Sequence, residues 1–298
     1  MNIVERRETD VERCRRPGHA GMAASLLVAL AFLGWSADEA LSAAITIAGN
    51  GPELRMVERL TSAFEKKYFG AVAEIRWDPS FQPSHMVKTG EADVAVVGQT
   101  DPDLLVTPIA WDGIAVLVDF TNPVREITSV QLAAMFSGTA TRWSDVGGND
   151  TRIELINSPS NQPIRGTFET VLDIVGKSPP TAYVSRSDQR AISRLAGNGS
   201  AVTYASLGVA LDAVTYGVGV ALLSVDQVEP AKQTVRDGRY RLRRPVLLLR
   251  KDEANSTATS FVEFAVSKEA KDIIDEMYVS YTGPDNDPHA VRSSMREK

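Results

Sequence analysis

The stretch AITIAGNGPELRMVERLTSAFEKKYFGAVAEIRW, residues 44–77, sets the fold class. Its first five residues are apolar and β-rich and read as a buried strand. Gly49-Asn50-Gly51-Pro52 is a turn, and Pro52 suits the first position of a helix because its missing N–H would be unpaired there anyway. Leu54, Val57, Leu60, Ala63 and Phe64 then recur at helical spacing, which predicts a helix from Glu53 to Tyr68. Val72 to Trp77 reads as the next strand. A helix is expected over Pro83 to Thr89 and a buried strand over Ala92 to Val97. Strand–helix–strand–helix–strand implies a parallel sheet flanked by helices, an α/β fold.

Downstream, Ile114 to Val118 is a strand, and Val130 to Phe136 a helix capped by Ser129 or Thr128. Arg152 to Ile156 is a strand. Thr167 to Val175 is a helix opened by Arg165-Gly166, and Asp188 to Ala196 is a further helix. Ala201 to Tyr204, Val218 to Leu223 and Pro245 to Arg250 are strands, and Phe261 to Tyr278 one closing helix. The polar, Pro-containing tail after Tyr281 is expected to be disordered.

Upstream, Arg6, Arg7, Arg13, Arg15 and Arg16 precede the apolar run Met22 to Trp35 and a small-residue exit ending at Ala44. This is the pattern of a secretory signal cleaved after Ala43 or Ala44. An uncleaved anchor and a cytosolic N-terminal helix are the alternatives. Cys14 is the only cysteine, so an intramolecular disulfide and a Cys-based zinc site are excluded. His19, His85 and His289 do not fall at metal-ligand spacing, and no metal or cofactor is expected. No histidine lies where a nucleophile in the second half could use it, so the chain does not read as an enzyme. A net charge of −6 argues against a broad nucleic-acid-binding surface and leaves room for a local site for a small anion.

The segment WDGIAVLVDFTNPVREITSVQLAAMFSGTATRWSDVGG, residues 111–148, resembles the central segment of the phosphate-binding (PstS-like) solute-binding proteins of ABC transporters. The matching residues are Asn122-Pro123, Gln131-Leu132, Phe136, Gly138, Trp143, Asp145 and Gly147-Gly148. Tyr204-Ala205-Ser206-Leu207-Gly208 and the run from Asp237 to Pro245 are similar to two further motifs of that family. The resemblance implies a two-lobed, periplasmic-binding-protein-like (type II) fold with a hinge and an interlobe cleft. Residues 1–44 would be the signal, 45–118 with 245–282 a discontinuous first lobe, 119–244 the second lobe, and 283–298 a flexible tail. It further implies a monomeric, exported, periplasmic protein that captures phosphate or a related oxyanion and serves a permease or an envelope sensor. A family member acting as a sensor or scaffold without a small ligand is the alternative.

In such a protein helix N-termini aim their unpaired N–H groups at one anion. Three places here match. They are Asn50-Gly51 before the first helix, Ser80 before the second, and Arg165-Gly166-Thr167 in the second lobe. Thr100 follows the expected strand Ala92 to Val97 and completes the candidate set. The departures are specific. Gly51 stands where the family has Thr or Ser, Asn161 where it has Arg, Arg165 where it has Ser, and Gly98 where it has the Asp that accepts a proton from phosphate. Asp101 is a candidate substitute for that carboxylate, or a turn residue before Pro102. Sulfate-like anions, oxometallates and small organic anions therefore stay open as ligands.

Overall fold

The computed structural model describes residues 44–283. The expected signal before Ala44 and the tail beyond Gly283 lie outside the described residues. β1 (Ala44–Gly49), α1 (Leu54–Lys67), β2 (Val72–Trp77), α2 (Pro83–Thr89) and β3 (Val94–Val97) follow in the predicted order. β1 pairs in parallel with β2 on one side and β3 on the other. α1 buries Met56, Val57, Leu60, Thr61 and Phe64 along one face, the spacing that defined it in the sequence.

β4 (Leu105–Asp119) is far longer than the expected strand at Ile114 to Val118 and is buried from Ile109 onward. After it come β5 (Glu126–Ile127), α3 (Ser129–Phe136), a 3₁₀ turn (Trp143–Val146), β6 (Glu154–Asn157) and α4 (Pro163–Val171). Then follow β7 (Tyr183–Val184), α5 (Asp188–Leu195), β8 (Ala201–Ser206), α6 (Leu207–Thr215), β9 (Val220–Leu222), β10 (Ser224–Val225) and α7 (Lys232–Arg236). β11 (Arg243–Arg250), α8 (Ser256–Ala265), α9 (Lys268–Ile274) and β12 (Val279–Ser280) close the described chain.

The length of β4 has a tertiary cause, because it serves both lobes. Its first half pairs antiparallel with β11 and β12, and its second half with β8 and β9. The sheet order is β2-β1-β3-β11-β4-β8-β6-β7. Pro108 cannot donate to the ladder, and the β11 register shifts between Val246 and Leu247, opposite Ala110 and Pro108. A bulge is where a strand tolerates proline.

One hydrophobic cluster fills the second lobe, around Ile114–Val118, Phe136, Phe168 and Tyr204. Two others line the faces of the first lobe's sheet, around Phe64 and Phe261 and around Met86 and Leu247. Phe168 stacks on Tyr204 at 4.0 Å and meets Phe136 edge-on at 4.8 Å. Such pairs contribute about 0.5–1.5 kcal/mol each beyond area burial.

Two predicted helices differ in the structure. The closing helix is broken into α8 and α9, because the Ser267 side chain accepts from Ala270 N–H and starts a new helix. α4 begins at Pro163 and not at Thr167, since Pro163 supplies the preset φ of a first turn. Arg165, Gly166 and Thr167 are therefore inside the helix. α3 is opened by Thr128, whose side chain accepts from Gln131 N–H while the Gln131 side chain returns the bond.

Candidate anion-binding site between the lobes

The lobes meet where the C-terminal ends of β1, β3 and β6 face one another, the crevice that α/β sheets offer to ligands. The first lobe brings Asn50, Gly51 and Glu53 from the start of α1, Gly98 and Gln99 after β3, Asp112 from β4 and Arg244 from β11. The second brings Gln162 and Pro163 at the start of α4, Asp188 from α5 and Ser206 at the end of β8. Gly98 packs closely against the second lobe. A Cβ there would lie 2.8 Å from the Cβ of Pro163 and 3.3 Å from Nη1 of Arg244. The Gln162 amide donates to the Asn50 carbonyl at 3.3 Å, and Asn161 Nδ2 donates to the Pro79 carbonyl.

Arg244 is wholly buried at this junction. It lies opposite Asp112 in the β4–β11 ladder, and its Nη2 donates to Asp112 Oδ2 at 2.8 Å and to Glu53 Oε1. Glu53 reaches it by folding back under the turn, so a Cβ at Gly51 would meet Glu53 Oε2 at 2.3 Å. Ser206 then ties the lobes together. Its hydroxyl donates to Asp112 Oδ1 and its N–H to Asp188 Oδ2, both at 2.8 Å. Tyr278 donates to the Pro52 carbonyl at 3.1 Å.

The charges in this cluster are unequal, with three buried carboxylates around one guanidinium. Burial pushes the Asp112 carboxyl up to about 6, against the pull of Arg244. It pushes Asp188 up to about 7, against the Ser206 N–H bond. For Arg244 burial works against the charge, but Glu53 and Asp112 outweigh it and hold the guanidinium protonated.

Five buried side-chain atoms lack a hydrogen-bond partner among the described residues, and three belong to this junction: Nε and Nη1 of Arg244 and Oδ1 of Asn50. The first turns of α1 and α4 have no side-chain cap, and neither do those of α2, α6 and α7, whereas Thr128, Ser187, Asn255 and Ser267 cap α3, α5, α8 and α9.

The residues singled out from sequence fall into two groups. Asn50 and Gly51 are at the junction, and Gly166 borders it, with Gln99 Nε2 3.5 Å from where a Cβ on Gly166 would be. The Gly166 N–H, however, is bonded to the Gln162 carbonyl at 3.2 Å. Thr167 and Thr100 are half-buried. Ser80 is exposed, and both its N–H and its hydroxyl go to Asp78 Oδ1, at 2.8 and 2.5 Å. Arg165 turns onto its own helix, with Nε on Glu169 at 2.7 Å and Nη1 on the Ser158 carbonyl at 2.9 Å. Asp101 pairs with Lys88 at 2.8 Å and accepts the Asp103 N–H at 3.1 Å, a turn arrangement.

Sequence reading missed Glu53, Asp112, Asp188, Ser206 and Arg244 as a unit. A signal was present for two of them. Asp112 is the lone acid in the apolar run from Ile109 to Val118, and strand alternation places Arg244 on the same face as the buried Val246 and Leu248. Among the described residues no cluster of His, Cys, Asp and Glu is arranged to hold a metal ion, and no helix is long and apolar enough to cross a membrane.

Comparison with known proteins gives a consistent picture. The chain is 23% identical over 181 residues to a phosphate-binding protein, PstS, from Borreliella burgdorferi, a match covering 57% of this chain and 63% of that one. It is 27% identical over 202 residues to PstS of Bacillus subtilis, covering 66% and 65%. The chain thus spans just under two thirds of these relatives' length. An ABC-type phosphate transport receptor from Vibrio cholerae superposes with a TM-score of 0.69 at 25% identity, over 80% of this chain and all of that one. The two-lobed fold matches the resemblance seen in residues 111–148. A PBP superfamily domain model takes in residues 36–269, well over half of the sequence, and the chain belongs to the PBP superfamily.

Proposed function

We propose that this protein is an exported solute-binding protein that closes its lobes on phosphate or a related small oxyanion and presents it to an ABC transporter permease or an envelope sensor. The observation that carries the reading is the junction itself, where Nε and Nη1 of the buried Arg244 and Oδ1 of Asn50 have no partner beside the starts of α1 and α4. Helix starts and unpartnered guanidinium donors belong to the chemistry of an oxyanion site. The names of the relatives from Borreliella burgdorferi, Bacillus subtilis and Vibrio cholerae support phosphate as the leading ligand. Two lobes sharing β4 and bridged by Gln162 and Asn161 suit a closing motion around a captured ion. In this reading the protein binds and releases the ion without chemistry.

The test is thermal unfolding of the full chain with and without phosphate, sulfate, molybdate and small carboxylates. A ligand that binds only the folded state stabilises it by mass action, about 2.7 kcal/mol at a hundredfold excess over Kd. A rise in Tm with phosphate is the expected result. No shift with any of these anions would refute the reading.

A further inference from the structure

The second lobe carries a groove that shares no residue with the interlobe junction. β7 pairs only with Ile156 and Asn157 of β6, and the Ile153 N–H is taken by the Thr141 carbonyl at 2.8 Å. Between these two attachments the sheet edge opens at Leu155 into a cavity of about 410 Å³. Small-molecule sites occupy roughly 300–1,000 Å³. The floor is Met135, Ala140, Ile153 and Ile156, all buried members of the second lobe's core. One wall is fixed by Gly138, which carried part of the family likeness. It turns the chain with a φ of 80°, and a Cβ there would meet Pro179 Cβ at 3.3 Å.

Arg152 and Arg194 stand on the rim. The Arg194 guanidinium lies over the Tyr183 ring at 4.0 Å. Stacking uses the face of a guanidinium and leaves its in-plane N–H groups to bind something else. Among the described residues neither guanidinium has a hydrogen bond or a carboxylate partner. Glu154, the acid in the lining, accepts from Asn198 Nδ2 at 3.0 Å. We propose that this groove is a second binding site, for a small amphipathic carboxylate. Its apolar body rests on the floor from Ile153 to Ile156, and its carboxylate accepts from Arg194 and Arg152. A bare oxyanion would use the arginines and gain nothing from the floor. A neutral apolar molecule would do the reverse. The groove lies toward the N-terminal end of β6 and the cleft at its C-terminal end, so this inference does not depend on phosphate binding in the cleft.

The test uses the full chain, nitrogen-labelled, with phenylpropanoate, its neutral amide and inorganic phosphate as probes. Phenylpropanoate is expected to shift the backbone resonances of Ala140, Thr141, Ile153, Leu155 and Tyr183, and to leave those of Asn50, Gly98 and Gln162 in place. It should bind about 5- to 10-fold more tightly than the amide, as expected for charge-assisted hydrogen bonds at an open rim. Arg194→Ala should erase most of that preference and leave the response to phosphate as in the wild type. Arg194 and Arg152 are both exposed, so neither variant opens the core. Shifts at the cleft residues instead would make the acid a cleft ligand and overturn the groove site. Equal affinity for acid and amide, or a preference that survives both Arg194→Ala and Arg152→Ala, would also overturn it. A response to phosphate with none to phenylpropanoate would refute the groove and leave the cleft reading standing. Binding of phenylpropanoate in the groove with no response to phosphate would do the opposite.

Discussion

Asn157 and Asn50 are buried amides in equivalent places, Asn157 ending β6 and Asn50 just past the end of β1, yet they are treated differently. Asn157 is saturated. Its Oδ1 accepts from Ser158 N–H at 2.9 Å and from the Tyr204 hydroxyl, and its Nδ2 donates to Ser178 Oγ at 2.8 Å. Asn50 uses only Nδ2, on the Phe81 carbonyl, and leaves Oδ1 unpaired. The arginines repeat the contrast, with Arg165 tied at Nε and Nη1 and Arg244 open at both. The interior of the second lobe satisfies its polar atoms internally, as folded proteins generally do. The junction between lobes keeps donors and an acceptor in reserve.

The contrast can be broken most forcefully at Arg244. Arg244→Met would leave Glu53 and Asp112 as buried carboxylates without their cation. Removing one partner of a buried pair costs about 4 kcal/mol, so a large drop in urea midpoint is expected. A small drop would mean that the junction tolerates its acids unpaired, and that Arg244 is not what holds it.

Asp188 sharpens the comparison through pH. Its folded-state pKa is about 7, raised by burial, against about 3.9 in the unfolded chain. Between these values the folded state keeps a proton that the unfolded state has lost. The contribution to stability is therefore full below about pH 4 and is lost as pH rises through about 7. Asp188→Asn removes this dependence. The variant should gain on the wild type by on the order of 3 kcal/mol between pH 4 and pH 8, read from urea unfolding at each pH. A difference that does not change with pH would show that Asp188 is ionised in the fold throughout.

The smallest effects come from the asparagines. Asn157→Ala strands the Tyr204 hydroxyl proton and removes the partner of Ser178, leaving the Ser158 N–H only its 3.4 Å contact with the Tyr204 oxygen, and should cost about 2 kcal/mol. Asn50→Ala breaks one bond to a carbonyl and should cost about 1 kcal/mol. Equal costs would erase the distinction drawn between the two sites.

Much of the fold was legible because it is local. The face of α1, the Thr128 cap and the strand–helix alternation of residues 44–97 all follow from spacings of a few residues. The double service of β4 was not legible, because an apolar strand looks the same whether it pairs with one sheet or two. The start of α4 was misplaced by the Gly166-Thr167 pair, which reads as a cap in isolation and proves to lie inside a helix that Pro163 begins. At the site, Asn50 and Gly51 could be read from a turn before a helix, but the meeting of Arg244 with Glu53 and Asp112 could not.

By itself, then, the sequence determined the α/β class, the family likeness in residues 111–148 and the first helix start at the cleft, since periodicity and turn chemistry act over short range. Only the tertiary structure decided which charges meet. Arg244 finds Asp112 across 132 positions and Glu53 across 191. Those meetings depend on strand register and on how the lobes close, and neither is written in any local pattern.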